Sequence, residues 1–182
     1  DRQDKKMLMQ LGPIRHRYTA KERAQKQGIG HYIYPRFTRL VDLNPSEGKN
    51  PSDYYRLIMQ SELRNMQVVS DTIDCVKRGR TPVIMTKYKE HAQKLYDMLQ
   101  GSADHVFLLQ GGKSLKERSA IREQMAAVRA DESIILVAIG QYVGEGFNYP
   151  RLDTMLLAMP ISLEGNVEQH AGRLNRDYEG KK

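Results

Sequence analysis

Between Ser52 and Val76 apolar residues return at three- and four-residue steps: Leu57, Ile58, Leu63, Met66, Val69, Ile73 and Val76. That period predicts an amphipathic helix, capped by Ser52 or Asp53 and stopped at Gly79. Beyond Gly79 the pattern changes. Runs that are apolar almost throughout, "PVIMT" (82–86), "HVFLLQ" (105–110), "SIILVAI" (133–139) and "DTMLLAMP" (153–160), predict buried strands. Between them lie "KYKEHAQKLYDMLQ" (87–100) and "SLKERSAIREQMAAVRA" (114–130), which read as helices, and "NVEQHAGRLNRDY" (166–178) predicts a last one. Strands apolar on both faces that alternate with helices imply a mainly parallel sheet in a three-layer α/β/α domain.

Upstream of Ser52 the pattern is weaker. Residues 1–30 are rich in Lys, Arg and Gln and carry no sustained apolar period, so they read as a basic connector. In "HYIYPRFTRLV" (31–41) aromatic and branched residues alternate with polar ones, which is strand-like. Pro35 restricts that run to an edge strand or an irregular one. "DLNPSEGKNPSD" (42–53) reads as a loop.

Composition changes the picture in one respect. The net charge of +7 and a pI near 9.5 favour anionic partners, nucleic acid first and anionic membrane second, with simple solubility as the plainer explanation. The lone Cys75 makes no internal disulfide and no cysteine-rich metal site, so a reducing cytoplasm is expected. No apolar run reaches membrane-spanning length. The first residues, Asp-Arg-Gln without a Met, lead us to expect a fragment of a longer polypeptide.

Several apparent sites fail on spacing. Gly111-Gly112-Lys113-Ser114 follows a predicted strand and precedes a helix, as a phosphate-binding P-loop would. Such a loop needs a first glycine five residues before Gly112, where its turn aims backbone N–H groups at phosphates. Phe107 stands there, inside the strand. Ser114 as helix N-cap with Glu117 completing a capping box explains the stretch better, with Lys113 still able to touch a phosphate of a bound strand. Gly144-Glu145-Gly146 lacks the third glycine of a dinucleotide fingerprint, because Tyr149 occupies its place. The five histidines are scattered, and no metal site is expected.

Two stretches carry more. "VAIGQYVGEGFNYPRLDTMLLAMP" (137–160) joins two buried strands by a glycine-punctuated loop at a carboxyl strand end, where parallel sheets bind ligands. A plain flexible connector is the alternative. In "EQHAGRLNRDYEG" (168–180) Gln169, Arg173 and Arg176 share one helix face, with Gly172 between them. Two guanidiniums beside an amide suit a polyphosphate. A solvated basic helix end explains the same residues equally well.

In this order and spacing, "GEGFNYP", "LAMP" and "QHAGRLNR" resemble motifs V and VI of superfamily 2 helicases, nearest to the bacterial DEAD/DEAH-type enzymes that include type III restriction subunits. "TPVIMTKYKEHAQKLYDML" resembles motif IV, and "LGPIRHRYTAKERA" with "YPRFTRLV" looks like the linker that joins the two RecA-like domains of such enzymes. The resemblance covers nearly the whole chain and implies residues 1–41 as basic linker and remnant of a preceding domain, with 42–182 as the second, C-terminal RecA-like domain.

It further implies an ATP-dependent helicase or translocase whose first domain, absent here, holds most of the ATP and Mg²⁺. Arg176 would be the finger at the γ-phosphate, Arg173 its companion, and Gln169 would order the nucleotide-facing helix. Gly144, Glu145, Gly146 and Asn148 would couple nucleotide to nucleic acid. Asn148 stands where aspartate is commoner, which weakens a ribose contact, and Ile139 replaces a frequent threonine. Thr86, Lys87, Gly111, Lys113, Gly140 and Gln141 would face the nucleic acid, with DNA the better guess from the restriction-like relatives. On this view the isolated chain hydrolyses nothing. Two alternatives stand beside it: a non-catalytic nucleic-acid-binding module, and a self-contained small NTPase using Lys113 and Ser114.

Overall fold

The structure, a computed structural model, describes residues 32–38, 50–111, 115–139 and 149–160. The chain divides into two compact units, Asp1–Tyr34 and Pro35–Lys182. Of the first unit only Tyr32–Tyr34 is described; the Tyr32 and Tyr34 rings stack with centroids 6.5 Å apart.

The second unit contains α1 (Pro51–Gln60), α2 (Glu62–Lys77), β1 (Pro82–Thr86), α3 (Lys89–Met98), β2 (His105–Leu109), α4 (Leu115–Ala127), β3 (Ile134–Ile139) and β4 (Thr154–Leu157). The four strands form one sheet in the order β2-β3-β1-β4, and every pairing is parallel. Parallel neighbours need long crossovers, and α3 and α4 provide two of them.

Side chains alternate across the sheet, so each strand feeds two cores. Val83, Met85, Leu109, Leu136 and Ala138 pack with Met125 and Ile121 of α4 on one face. Ile84, Leu108, Ile135, Val137 and Ile139 pack on the other with Ala92, Leu95 and Leu99 of the α3 segment and with Val68, Val69, Ile73 and Val76 of α2. The result is helix, sheet, helix, as the apolar runs predict. Each fully buried Ile or Leu contributes about 1.5–3 kcal/mol by leaving water.

Three expectations are corrected. The stretch 51–77 is not one helix: Ser61 takes extended dihedrals (φ −68°, ψ 101°) and separates α1 from α2. The break resets the helical phase, which leaves Leu63 (74% exposed) and Met66 (59%) facing solvent. The buried face of α2 includes Asn65 and Thr72 instead, and the Thr72 hydroxyl donates to the Val68 carbonyl at 2.7 Å. Second, α1 starts earlier than Ser52 or Asp53 would cap it. Pro51 occupies the first turn, where its fixed φ suits a helix, and the Asn50 N–H donates to the Asp53 carboxylate at 3.1 Å. Third, residues 32–38 of the strand-like run form no strand. Pro35 withholds a ladder donor at its centre, and Phe37 is 91% exposed.

Polar clips fix the sheet ends. Ser133 donates its N–H and its hydroxyl to Asp104, each at 2.7 Å, across the start of β2 and β3. Those hydrogen bonds hold the Asp104 carboxyl below its usual range. Arg151 donates to the carbonyls of Arg129, Ala130 and Glu132, and the Tyr149 hydroxyl donates to the Met125 carbonyl. Among the described residues no helix is long and apolar enough to cross a membrane.

Candidate nucleic-acid interface at the carboxyl ends of the strands

Parallel α/β sheets bind ligands where their strands end. Here β1 and β3 end side by side, with Thr86 in register with Ile139. In sequence, Lys87-Tyr88 follows β1, and the glycine-rich stretch from Gly140, which lies outside the described residues, follows β3.

The end of β1 is fixed by a buried polar chain. By strand alternation Thr86 lies on the same face as Ile84, toward α2 and α3. Its hydroxyl is 2.8 Å from His91 Nδ1, and His91 Nε2 is 2.9 Å from Asn65 Oδ1. Asn65 Nδ2 donates to the Met59 carbonyl at 2.8 Å. That last bond fixes the direction of the rest. The Asn65 oxygen must accept, so His91 Nε2 carries the proton and Nδ1 accepts from the Thr86 hydroxyl. All three side chains are buried, His91 to 2% exposure. Burial, reinforced by the positive charges of Arg64 and Lys94, pushes the His91 pKa down to about 4. The imidazole is thus neutral and links β1 to α2 through the fold. The Thr86 hydroxyl is directed inward, so a ligand at this strand end meets the Lys87 side chain and the local backbone.

Lys87 is exposed, and its ammonium lies 4.4 Å from the Tyr55 ring centroid and 5.8 Å from that of Tyr88. The two rings are 6.0 Å apart and inclined at 58°. Lys94 pairs with Glu62, Arg36 with Asp71 and Arg129 with Asp131, whereas Lys87 pairs with no carboxylate among the described residues. The end of β4 is held to α2: Arg64 donates to the Ala158 carbonyl at 3.2 Å and to the Thr38 hydroxyl at 2.8 Å. Arg64 Nε is buried with no partner, and desolvation lowers the guanidinium pKa.

At the end of β2, Gly111 is buried, and the Gln110 Oε1 atom is buried without a hydrogen-bond partner. Gln110 and Lys89, Gln93, Lys94 and Asp97 of α3 line a shallow groove of about 580 Å³. Of the expected nucleic-acid residues, Thr86, Lys87 and Gly111 thus stand at the ends of β1 and β2. Lys113, Gly140, Gln141, Gly144, Glu145, Gly146, Asn148, Gln169, Arg173 and Arg176 lie outside the described residues. The helix α4 begins directly after Ser114, whose capping role also lies outside them. Among the described residues no group of three or more His, Cys, Asp or Glu could hold a metal ion.

Comparison with known proteins places this architecture. The chain superposes on T4 UvsW with a TM-score of 0.57 and 19% sequence identity, over 70% of this chain and 25% of that one. It matches the C-terminal part of the Fun30 ATPase domain with a TM-score of 0.51 and 17% identity, over 72% of this chain and 42% of that one. The fold is RecA-like. In sequence, the chain is 27% identical over 154 residues to transcript termination protein A18 of fowlpox virus (strain NVSL). It is 25% identical over 134 residues to the A18 protein of myxoma virus (strain Lausanne). It spans only 32% and 27% of those relatives' lengths. No family model matches the chain.

Sequence reasoning missed Asn65, His91, Tyr55 and Tyr88. Asn65 and Thr72 carry a faint signal, since they sit seven residues apart and in phase with Val68, Val69 and Val76. Tyr88 adjoins the Thr86-Lys87 pair that was singled out. Nothing in the sequence marks Tyr55.

Proposed function

We propose that this chain is the second RecA-like domain of an ATP-dependent nucleic-acid helicase or translocase, and that it completes an ATP site held mainly by a preceding domain. The observation that carries this is the parallel RecA-like sheet, with Lys87 and the motif V-like stretch following neighbouring strands β1 and β3. ATP closes the two domains on one strand, and hydrolysis reopens them. Arg176 reaches the γ-phosphate, Arg173 assists, and Gln169 orders their helix. Removal of such an arginine slows turnover by orders of magnitude because charge develops on the transferred phosphoryl group. Gly144, Glu145, Gly146 and Asn148 link the nucleotide to the strand. Lys87, Lys113, Gly140 and Gln141 contact the strand, chiefly its phosphates, without reading sequence.

DNA is the first expectation for that strand. The likeness to viral transcript termination proteins favours a second reading, in which the nucleic acid belongs to a transcription complex and includes RNA.

The test is ATP hydrolysis by the purified 182-residue chain, with and without single-stranded DNA, alongside DNA binding at several salt concentrations. The composite-site reading expects no turnover and salt-sensitive binding. Turnover that disappears in Lys113→Ala would establish the small-NTPase alternative instead.

A further inference from the structure

Lys87 is held in an unusual way for an exposed cation. No described carboxylate neutralises it, and its ammonium lies over the Tyr55 ring of α1, 4.4 Å from the centroid, and 5.8 Å from that of Tyr88 at the start of the α3 segment. The backbone beneath it is stiff. Thr86, the preceding residue, is paired with Ile139 in the sheet and tied through His91 and Asn65 to the Met59 carbonyl of α1. Tyr55 stands on that same helix. Both rings and the lysine are thus referred to one rigid frame, which lowers the ordering cost of any ligand that uses them together.

Both rings are half-buried and Lys87 is exposed, and an ammonium that stays in water gains only about 0.5–1 kcal/mol from a ring. A nucleobase stacked on the same ring is held more firmly, and a released ammonium gains a phosphate contact and frees a counterion. Resting on proposed strand binding by this domain, we infer that Tyr55, Lys87 and Tyr88 form a stacking platform for single-stranded nucleic acid. Lys87 occupies the ring face in the free protein. On binding it swings to a backbone phosphate, and an unstacked base takes its place against Tyr55, whose ring is braced by the tilted Tyr88 ring beside it. Duplex does not fit this exchange, because its bases are already stacked. The platform therefore favours single strands, whatever their sequence.

The experiment measures binding of a fluorescein-labelled single-stranded oligodeoxynucleotide to the full chain by anisotropy over a range of salt concentrations. A matched oligonucleotide with abasic positions is measured in parallel. Lys87→Ala is expected to reduce the slope of log affinity against log salt by roughly 0.7, the contribution of one phosphate on a single strand. Tyr55→Leu and Tyr88→Leu are expected to weaken binding about 5- to 100-fold with the slope unchanged. Tyr55→Phe keeps the ring and rescues binding. The abasic strand binds wild type and the Leu variants alike. Urea midpoints equal to that of wild type establish that the variants are folded. Wild-type binding that is salt-sensitive but indifferent to both Leu substitutions overturns the platform and leaves the strand-binding domain standing. Absence of salt-sensitive binding in wild type overturns both.

Discussion

Replacing His91 by leucine should change both the stability of the fold and its dependence on pH. An ordinary histidine titrates near 6.5, and His91 is pushed down to about 4 by burial. Between those values the unfolded chain takes up a proton that the folded chain refuses. The neutral imidazole thus contributes stability that is fully present above about pH 6.5 and is lost as the pH falls toward 4. The gap is worth about 3 kcal/mol. The proton is refused because the imidazole is desolvated by burial and stands near the positive charges of Arg64 and Lys94. At pH 7.5 His91→Leu leaves the Thr86 hydroxyl and the Asn65 carbonyl buried without partners. At about 1–3 kcal/mol for each of the two orphaned groups, the total cost is about 2–6 kcal/mol. Urea unfolding of wild type and variant, followed by circular dichroism at steps from pH 7.5 to 4.5, reads both effects. Wild type should lose about 2–3 kcal/mol more than the variant across that range. Equal losses in the two proteins would refute the assignment of a neutral, acid-labile His91.

Other substitutions test neighbouring parts of the structure. Thr86→Val removes the donor to His91 while keeping the shape, and should cost about 1–2 kcal/mol in the same unfolding assay. Ile84→Ala opens a cavity at the centre of the sheet, where Ile84 is fully buried, and should cost about 2–5 kcal/mol in urea unfolding. Gly101 has φ +77° and open space around it, so Gly101→Ala is strained by its backbone alone and should cost about 1–2 kcal/mol.

The core was legible in the sequence because buried parallel strands leave an unmistakable record. "PVIMT" and "SIILVAI" are apolar throughout, and β1 and β3 are buried at every position. The helical stretch before them was legible as helix but not in its phase. Apolar spacing placed Leu63 and Met66 inward, whereas a single extended residue at Ser61 turned them out and brought Asn65 and Thr72 in. Periodicity counts hydrophobes, and this face is closed partly by polar groups whose partners lie on other elements. The same limit hid the Thr86–His91–Asn65 chain, which links residues from three elements. Lys87 is named through the resemblance of its stretch to motif IV. Its tyrosine neighbours are not, because Tyr55 is 32 positions away and meets it only in the fold. The expected catalytic residues Gln169, Arg173 and Arg176 rest on resemblance and helical spacing.

The central claim is that this domain supplies arginine fingers to an ATP site completed by another domain. It is tested most directly in a polypeptide that joins this chain to the proposed preceding domain, by measuring nucleic-acid-stimulated ATP hydrolysis and ATP binding for wild type and Arg176→Ala. The account predicts turnover reduced by about three orders of magnitude or more, with ATP binding far less affected. Near-normal turnover in Arg176→Ala would contradict it.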